Sequence, residues 1–347
     1  MIAALCSLAV ITGSASSQQA ETMQTGSDRK EASRSTIAFA STRDHPSSTP
    51  PFVTSGEIYL MNSDGTDVRR LTHNDVSDIF PSLSPDGTKI VFESNRRRAA
   101  GEPPNVSDLF LMNPDGSDQT WLTRGSSATW SPDGTSIAFH ASVSGTGLPA
   151  NPYPGSATID SDIFVVNVRD LLARKATPRN ITNNPAAVDD DPDWSPDGQT
   201  IIFTSHATSD NHTNAVTAEI YALSANLEGK PRPLTSNKYE ERAPAWSPDG
   251  TLILFCCRRG SKPDFNLCVM NADGSGEVRL TDSPLGDLTP AWSPDGRKIL
   301  FHRPKGRGLG AWDLWLINPD GSREVRLTDA PGYTGFASWG EMKKLER

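Results

Sequence analysis

Five residues before a recurring tryptophan position, the chain carries Asp78, Asp189, Glu241 and Asp287, with Gly125 and Thr334 at the two remaining places. Carboxylates converging from separate repeats suit a hard cation such as Ca²⁺, which takes six to eight oxygen ligands. They equally suit a partner that presents Lys or Arg. Asp190 and Asp191 add charge beside this set, as do Asp75 and Glu240. The structural alternative is that each carboxylate caps its own loop by accepting backbone N–H bonds. The expected binding residues are therefore Asp78, Asp189, Asp190, Asp191, Glu241 and Asp287, joined by the loop aromatics Tyr153, Tyr239 and Tyr333. Aromatic side chains beside charge are common anchors for protein partners, although they also pack loop against loop. Asp78, Asp189, Glu241 and Asp287 form the candidate metal set, with Ca²⁺ as the ion and no other cofactor expected.

A second acidic series, Glu57, Asp108, Asp162, Glu219 and Asp313, recurs at the start of another strand, with Asn266 in the remaining repeat. Arg43, Arg96, Arg258 and Arg303 precede it and are placed to pair with it across a hairpin. Such regular recurrence points to structure, since a catalytic group need occur only once. His140 and His302 occupy equivalent places, with His206 and His212 in the fourth repeat, and read as ordinary strand and loop histidines. No G-x-S-x-G, H-E-x-x-H, P-loop or dinucleotide fingerprint is present, so no catalytic residue is assigned. Cys256, Cys257 and Cys268 lie on adjacent strands. Three buried thiols are expected in preference to a Cys257–Cys268 or Cys256–Cys268 disulfide.

The elements that position these residues are repeats. FPSLSPDGTKIVF (Phe80 to Phe92), SATWSPDGTSIAF (Ser127 to Phe139), DPDWSPDGQTIIF (Asp191 to Phe203), APAWSPDGTLILF (Ala243 to Phe255) and TPAWSPDGRKILF (Thr289 to Phe301) are five copies of one string. Their tryptophan positions, 83 (Leu here), 130, 194, 246 and 292, are 47, 64, 52 and 46 residues apart, the period of a four-stranded propeller blade. A sixth copy is divided between the chain ends: TIAFAS (Thr36 to Ser41) continues what FASWG (Phe336 to Gly340) begins. The fold expected is all-β, a six-bladed β-propeller of four-stranded antiparallel blades, its ring closed by pairing the N-terminal and C-terminal strands. In each blade strand A ends at the tryptophan and strand B is the Ile-x-Phe run. Strand C is of the GEIYLMN type, and strand D ends in Leu-Thr. Nine Asp-Gly pairs supply the A–B and C–D turns.

The run WSPDGxxIxF, an acidic residue, I/L-Y/F-x-M-N-x-DGS and Leu-Thr resembles the repeat of TolB-type six-bladed propellers, related to WD-like propeller repeats. The resemblance covers Thr36 to Gly340, without the α/β domain that TolB proteins carry ahead of the propeller. It implies a cell-envelope protein that binds other proteins. The same propeller also precedes the catalytic domain of some peptidases.

A–B turns are uniform, whereas B–C loops such as 43–55, 95–106 and 142–160 vary in length and content. Recognition is therefore expected on the rim of B–C and D–A loops. Residues 1–20, with the apolar run Ile2 to Thr12, resemble a signal peptide and are too short to span a bilayer. Residues 21–34 read as a linker, 35–341 as the propeller and 342–347 as a tail. A net charge of −9 argues against nucleic acid and favours cations or basic partners. The function expected is an exported, monomeric, non-catalytic propeller, periplasmic or secreted, that binds a protein or peptide. The alternative is a secreted hydrolase or lyase acting at the same rim.

Overall fold

The computed structural model describes residues 34–44, 56–99, 107–142, 161–185, 187–207, 218–226, 229–237, 239–259, 265–306 and 310–342. These form six four-stranded antiparallel sheets. Strands A to D of blade 1 are Thr334–Met342, Arg34–Ser41, Glu57–Asn62 and Arg69–Arg70. Blade 2 has Asp78–Leu83, Ile90–Ser94, Asp108–Met112 and Thr120–Arg124, and blade 3 has Ser126–Trp130, Ser136–Ala141, Asp162–Asn167 and Arg179–Asn180. Blade 4 has Ala187–Trp194, Thr200–Ala207, Ala218–Ser224 and Arg232–Pro233. Blades 5 and 6 begin with Glu240–Trp246 and Leu288–Trp292, and continue with Leu252–Arg258 and Ile299–Pro304, Asn266–Asn271 and Trp312–Ile317, and Val278–Arg279 and Val325–Arg326. Among the described residues one short helix, Val168–Leu172, departs from this pattern, and none is long and apolar enough to cross a membrane.

Local chemistry explains the Ser-Pro-Asp-Gly turn. The serine hydroxyl donates to the aspartate (Ser84 to Asp86 at 2.7 Å, Ser247 to Asp249 at 2.6 Å), and the aspartate accepts the N–H two residues on, at Thr88 and Thr251. The serine oxygen then accepts the N–H that opens strand B, from Lys89 and Leu252. Glycine completes the reversal at φ near +70°, 68° at Gly87 and 72° at Gly250. These hydrogen bonds hold the turn carboxylates of Asp133, Asp197, Asp249 and Asp295 below their ordinary pKa.

The core lies between blades. The strand-B phenylalanines Phe39, Phe92, Phe139, Phe203, Phe255 and Phe301 are all buried. Closure follows the divided repeat: Thr36 pairs with Gly340, Ile37 with Trp339 and Ser41 with Thr334. Pairing the terminal strands removes two open sheet edges.

Cys257 and Cys268 form a disulfide with Cα atoms 5.8 Å apart, which overturns the expectation of three thiols. Phe255 faces Cys268 and Cys257 faces Asn266, so the two cysteines are diagonal neighbours on one face. That offset brings the Cα atoms to disulfide range. Cys256 points to the opposite face as a buried free thiol.

Candidate functional site

Strand A of every blade carries a β-bulge three residues before the tryptophan position. The strand-pair register shifts there, between Ile79 and Ser82, Ser126 and Thr129, Asp190 and Asp193, and their counterparts. The bulged residues Phe80, Ser127, Asp191, Ala243, Thr289 and Phe336 all adopt φ between 43° and 49°. A left-handed backbone is costly for any L-residue and most unusual for β-branched Thr289. Sequence reading missed this ring because its six residues share no chemical type.

The bulges form the floor of a funnel of about 720 Å³, walled by strand A and rimmed by the turn prolines Pro85, Pro132, Pro196, Pro248 and Pro294. Trp130, Trp194, Trp246, Trp292 and Trp339 line it, together with Phe80, Phe336 and the carboxylates Asp191, Asp193 and Glu341. The WSP strings, read from sequence as scaffold alone, are thus also the wall of a cavity on the A–B side. The B–C loops named above lie largely outside the described residues.

Two clusters stand on strands A and B beside the bulges. One half of this set is an aromatic nest in which His302 meets Trp312, Tyr333 and Phe336 at centroid distances of 5.0, 5.8 and 5.5 Å. Burial pushes the His302 pKa down to about 3. Its Nδ1 accepts the Phe336 N–H at 3.2 Å and lies 2.8 Å from the Thr289 hydroxyl. The other half is ionic. His206 Nε2 lies 3.3 Å from Asp190 Oδ2, with His140 close to the same carboxylate, while Arg242 and Arg258 both hold Glu240. Although buried, Asp190 is held below its ordinary pKa by His206. Burial, reinforced by Asp190, raises Asp191. Burial raises Asp193 to about 6, against a 2.8 Å bond from the Trp246 N–H and a 3.2 Å bond from Thr129.

The four carboxylates expected to ring the channel are buried inside their blades. Asp78 accepts from Arg96 at 2.7 Å and Asn74 at 2.7 Å. Glu241 accepts from Arg259 at 2.6 Å and Asn237 at 2.7 Å, and Asp287 is bound by Arg303. Asp189 accepts from Ser205 at 2.6 Å, and burial raises its pKa to about 6. Antiparallel pairing sets each acid beside the exit of strand B, where these partners stand; Asp78 faces Ser94 and Glu241 faces Cys257. Thr334 meets Ser41 at 3.0 Å instead, and at Gly125 a Cβ would lie 2.4 Å from Phe139. Among the described residues no three His, Cys, Asp or Glu side chains are grouped to hold a metal ion.

The expected pairing of strand-B arginines with the strand-C acids is also corrected. Those acids take donors from the end of strand D: Glu57 from Thr72, Arg70 and the Asn74 N–H, and Asp313 from Thr328 and Arg326. Arg96 and Arg303 are thereby left to the strand-A acids. Tyr333 is buried in the aromatic nest and not exposed on a rim, whereas Tyr239 lies under the Arg259 guanidinium at 4.7 Å and is partly exposed. Tyr153 falls outside the described residues.

Against known proteins, the family described as TolB beta propeller domain matches residues 155–343, more than half of the chain. The fold superposes on TolB from Acinetobacter baumannii with a TM-score of 0.66 at 19% identity, covering 89% of this chain and 67% of that one. For the structure described as putative TolB from Agrobacterium tumefaciens, the TM-score is 0.59 at 21% identity, covering 90% and 99%. A curated relative, the "Uncharacterized peptidase YuxL" of Bacillus subtilis, is 42% identical over 64 residues, which is 18% of this chain. The match spans only 9% of that protein.

Proposed function

Because the chain belongs to the TolB β-propeller domain family, we infer that it is an exported, non-catalytic module that binds a protein or peptide. The observation that carries this reading is the funnel: a concave site of about 720 Å³, walled by tryptophan, phenylalanine and proline side chains with serine, threonine and carboxylate groups among them, has the anatomy of a recognition pocket. The apolar run at Ile2 to Thr12 and the Cys257–Cys268 disulfide support an exported location. A photo-crosslinking residue at Ala245, on the funnel wall, tests the reading in the producing cell against the same residue at exposed Val278. One dominant adduct from Ala245 and none from Val278 is expected; equal patterns from both positions overturn the reading.

The hydrolase or lyase alternative has one observation in its favour, the convergence of His140, Asp190 and His206 from two blades. Turnover of a polysaccharide or peptide that is lost in His206→Gln, with folding retained, would establish it.

A further inference from the structure

We propose that the funnel receives a lysine or arginine side chain of its partner, with the cationic head on Asp191 and Asp193 and the stem along the aromatic wall. The inference rests on the binding reading above and names the chemistry of what is bound.

The charge of the cavity carries the argument. Among the described residues, every charged side chain that lines it is a carboxylate (Asp191, Asp193 and Glu341), and none of those residues is Lys, Arg or His. The arginine nearest the floor in sequence, Arg242, does not line the cavity and is held by Glu240. Asp193 is met by neutral donors, the Trp246 N–H and the Thr129 hydroxyl. Burial and the adjacent Asp190 raise the Asp191 pKa, and the Ser127 hydrogen bond and the charges of Arg242 and His206 offset that rise only in part. An anionic ligand would meet like charge at Asp191, Asp193 and Glu341. A purely apolar one would bury the carboxylates further without compensation. A Lys or Arg side chain matches both features, since its methylenes cover apolar surface and its head is favoured by carboxylates and aromatic faces.

The backbone supplies an independent indication. Six left-handed residues, bulky Phe80 and Phe336 and β-branched Thr289 among them, are concentrated on the floor. Strain of this kind persists where surrounding structure enforces it and gathers at ligand sites. It fixes Asp191 in place before any ligand arrives, which lowers the cost of ordering on binding.

Random dodecapeptides displayed on phage and selected on the full chain, with Ala291→Arg protein as counter-selector, provide the probe. Ala291 lines the funnel, and the substitution fills it with a like-charged side chain. Selected peptides are then synthesised with their arginine replaced by citrulline, or their lysine by norleucine. Dissociation constants are measured on the natural chain, on Asp191→Asn and on Asp193→Asn, each first shown to unfold cooperatively. The expected result is a shared basic residue whose neutral replacement weakens binding to the natural chain at least about tenfold, the lower end for a close charge pair, and by much less on Asp191→Asn. Funnel-dependent binders that tolerate citrulline or norleucine overturn the cationic inference and leave the binding reading standing. If no peptide sensitive to Ala291→Arg is selected, both fall. Asp193→Asn decides the outcome in the same way should Asp191→Asn fail to fold.

Discussion

Arg303 holds Asp287 through two N–H···O bonds, Nε to Oδ1 at 2.5 Å and Nη2 to Oδ2 at 3.0 Å, and the same guanidinium also binds Glu324. Asp287 is fully buried, and its pKa stands above the ordinary value because burial outweighs the adjoining charge. The pair ties the start of strand A to the exit of strand B in blade 6. Removing the cation alone, in Arg303→Met, strands a buried carboxylate and should cost about 3–5 kcal/mol in urea unfolding. The double variant Arg303→Met with Asp287→Leu should recover much of that loss. A double variant no more stable than Arg303→Met would show that the charge pair is not what the single change disrupts.

The disulfide yields a second prediction. Cys257 and Cys268 are 11 residues apart, so the bridge closes a short loop within one hairpin of blade 5. The chain-entropy account gives about 2–3 kcal/mol for a loop of this size. Denaturant unfolding of Cys257→Ser/Cys268→Ser should show a loss of that order, and reductant should lower the natural chain to the same midpoint. The buried Cys256 thiol, whose pKa burial pushes up, should stay unmodified by alkylating reagents in the folded protein.

Asp193 makes part of the stability depend on pH in the direction opposite to an ordinary ion-paired carboxylate. Its folded pKa is about 6, against about 3.9 for an unfolded aspartate. Between these values the folded state holds the extra proton. This contribution is fully present below the unfolded pKa and is lost as pH rises through the folded one. The stability of the natural chain relative to Asp193→Asn should therefore fall between pH 4 and pH 7, as read from urea midpoints at pH 4, 5.5 and 7. A constant difference across those buffers would rule out the raised pKa.

The architecture was legible because its signals are local. Ser84-Pro-Asp-Gly and its four counterparts encode a complete set of turn hydrogen bonds within six residues. The divided repeat at Thr36 and Phe336 announces ring closure for the same reason. The site was harder to read, because it depends on which side of a strand a neighbour stands. Asp78, Glu241 and Asp287 present a convincing acidic ring in one dimension; three arginines at the adjoining strand exits neutralise it in three. Recurrence also misled. Trp and Pro repeat because every blade needs them for packing, yet the same repetition brings them around one axis as a cavity wall. The residues that differ among blades, with Asp191 in place of Phe80 or Ala243, give that wall its chemistry.

The bulge itself is open to a direct test at Ala243, where φ is 49° and no side-chain chemistry is at stake. Alanine in the left-handed region costs about 1–2 kcal/mol, and glycine removes that strain while adding entropy to the unfolded chain. Ala243→Gly should therefore stabilise the propeller by about 0.5–1 kcal/mol. The N–H of residue 243 keeps its bond to Thr204 Oγ1 at 3.1 Å, since glycine retains the donor. Two residues on, Ala245 pairs with Leu254 in regular strand geometry. Glycine there should destabilise by a similar amount, because it gains nothing from conformational freedom. Opposite signs at two alanines of one strand, read from thermal and urea midpoints, would show that the funnel floor is held in a backbone state imposed by the ring. Equal losses at both positions would show that residue 243 carries no strain and that Asp191, its counterpart in blade 4, is not fixed in place by the fold.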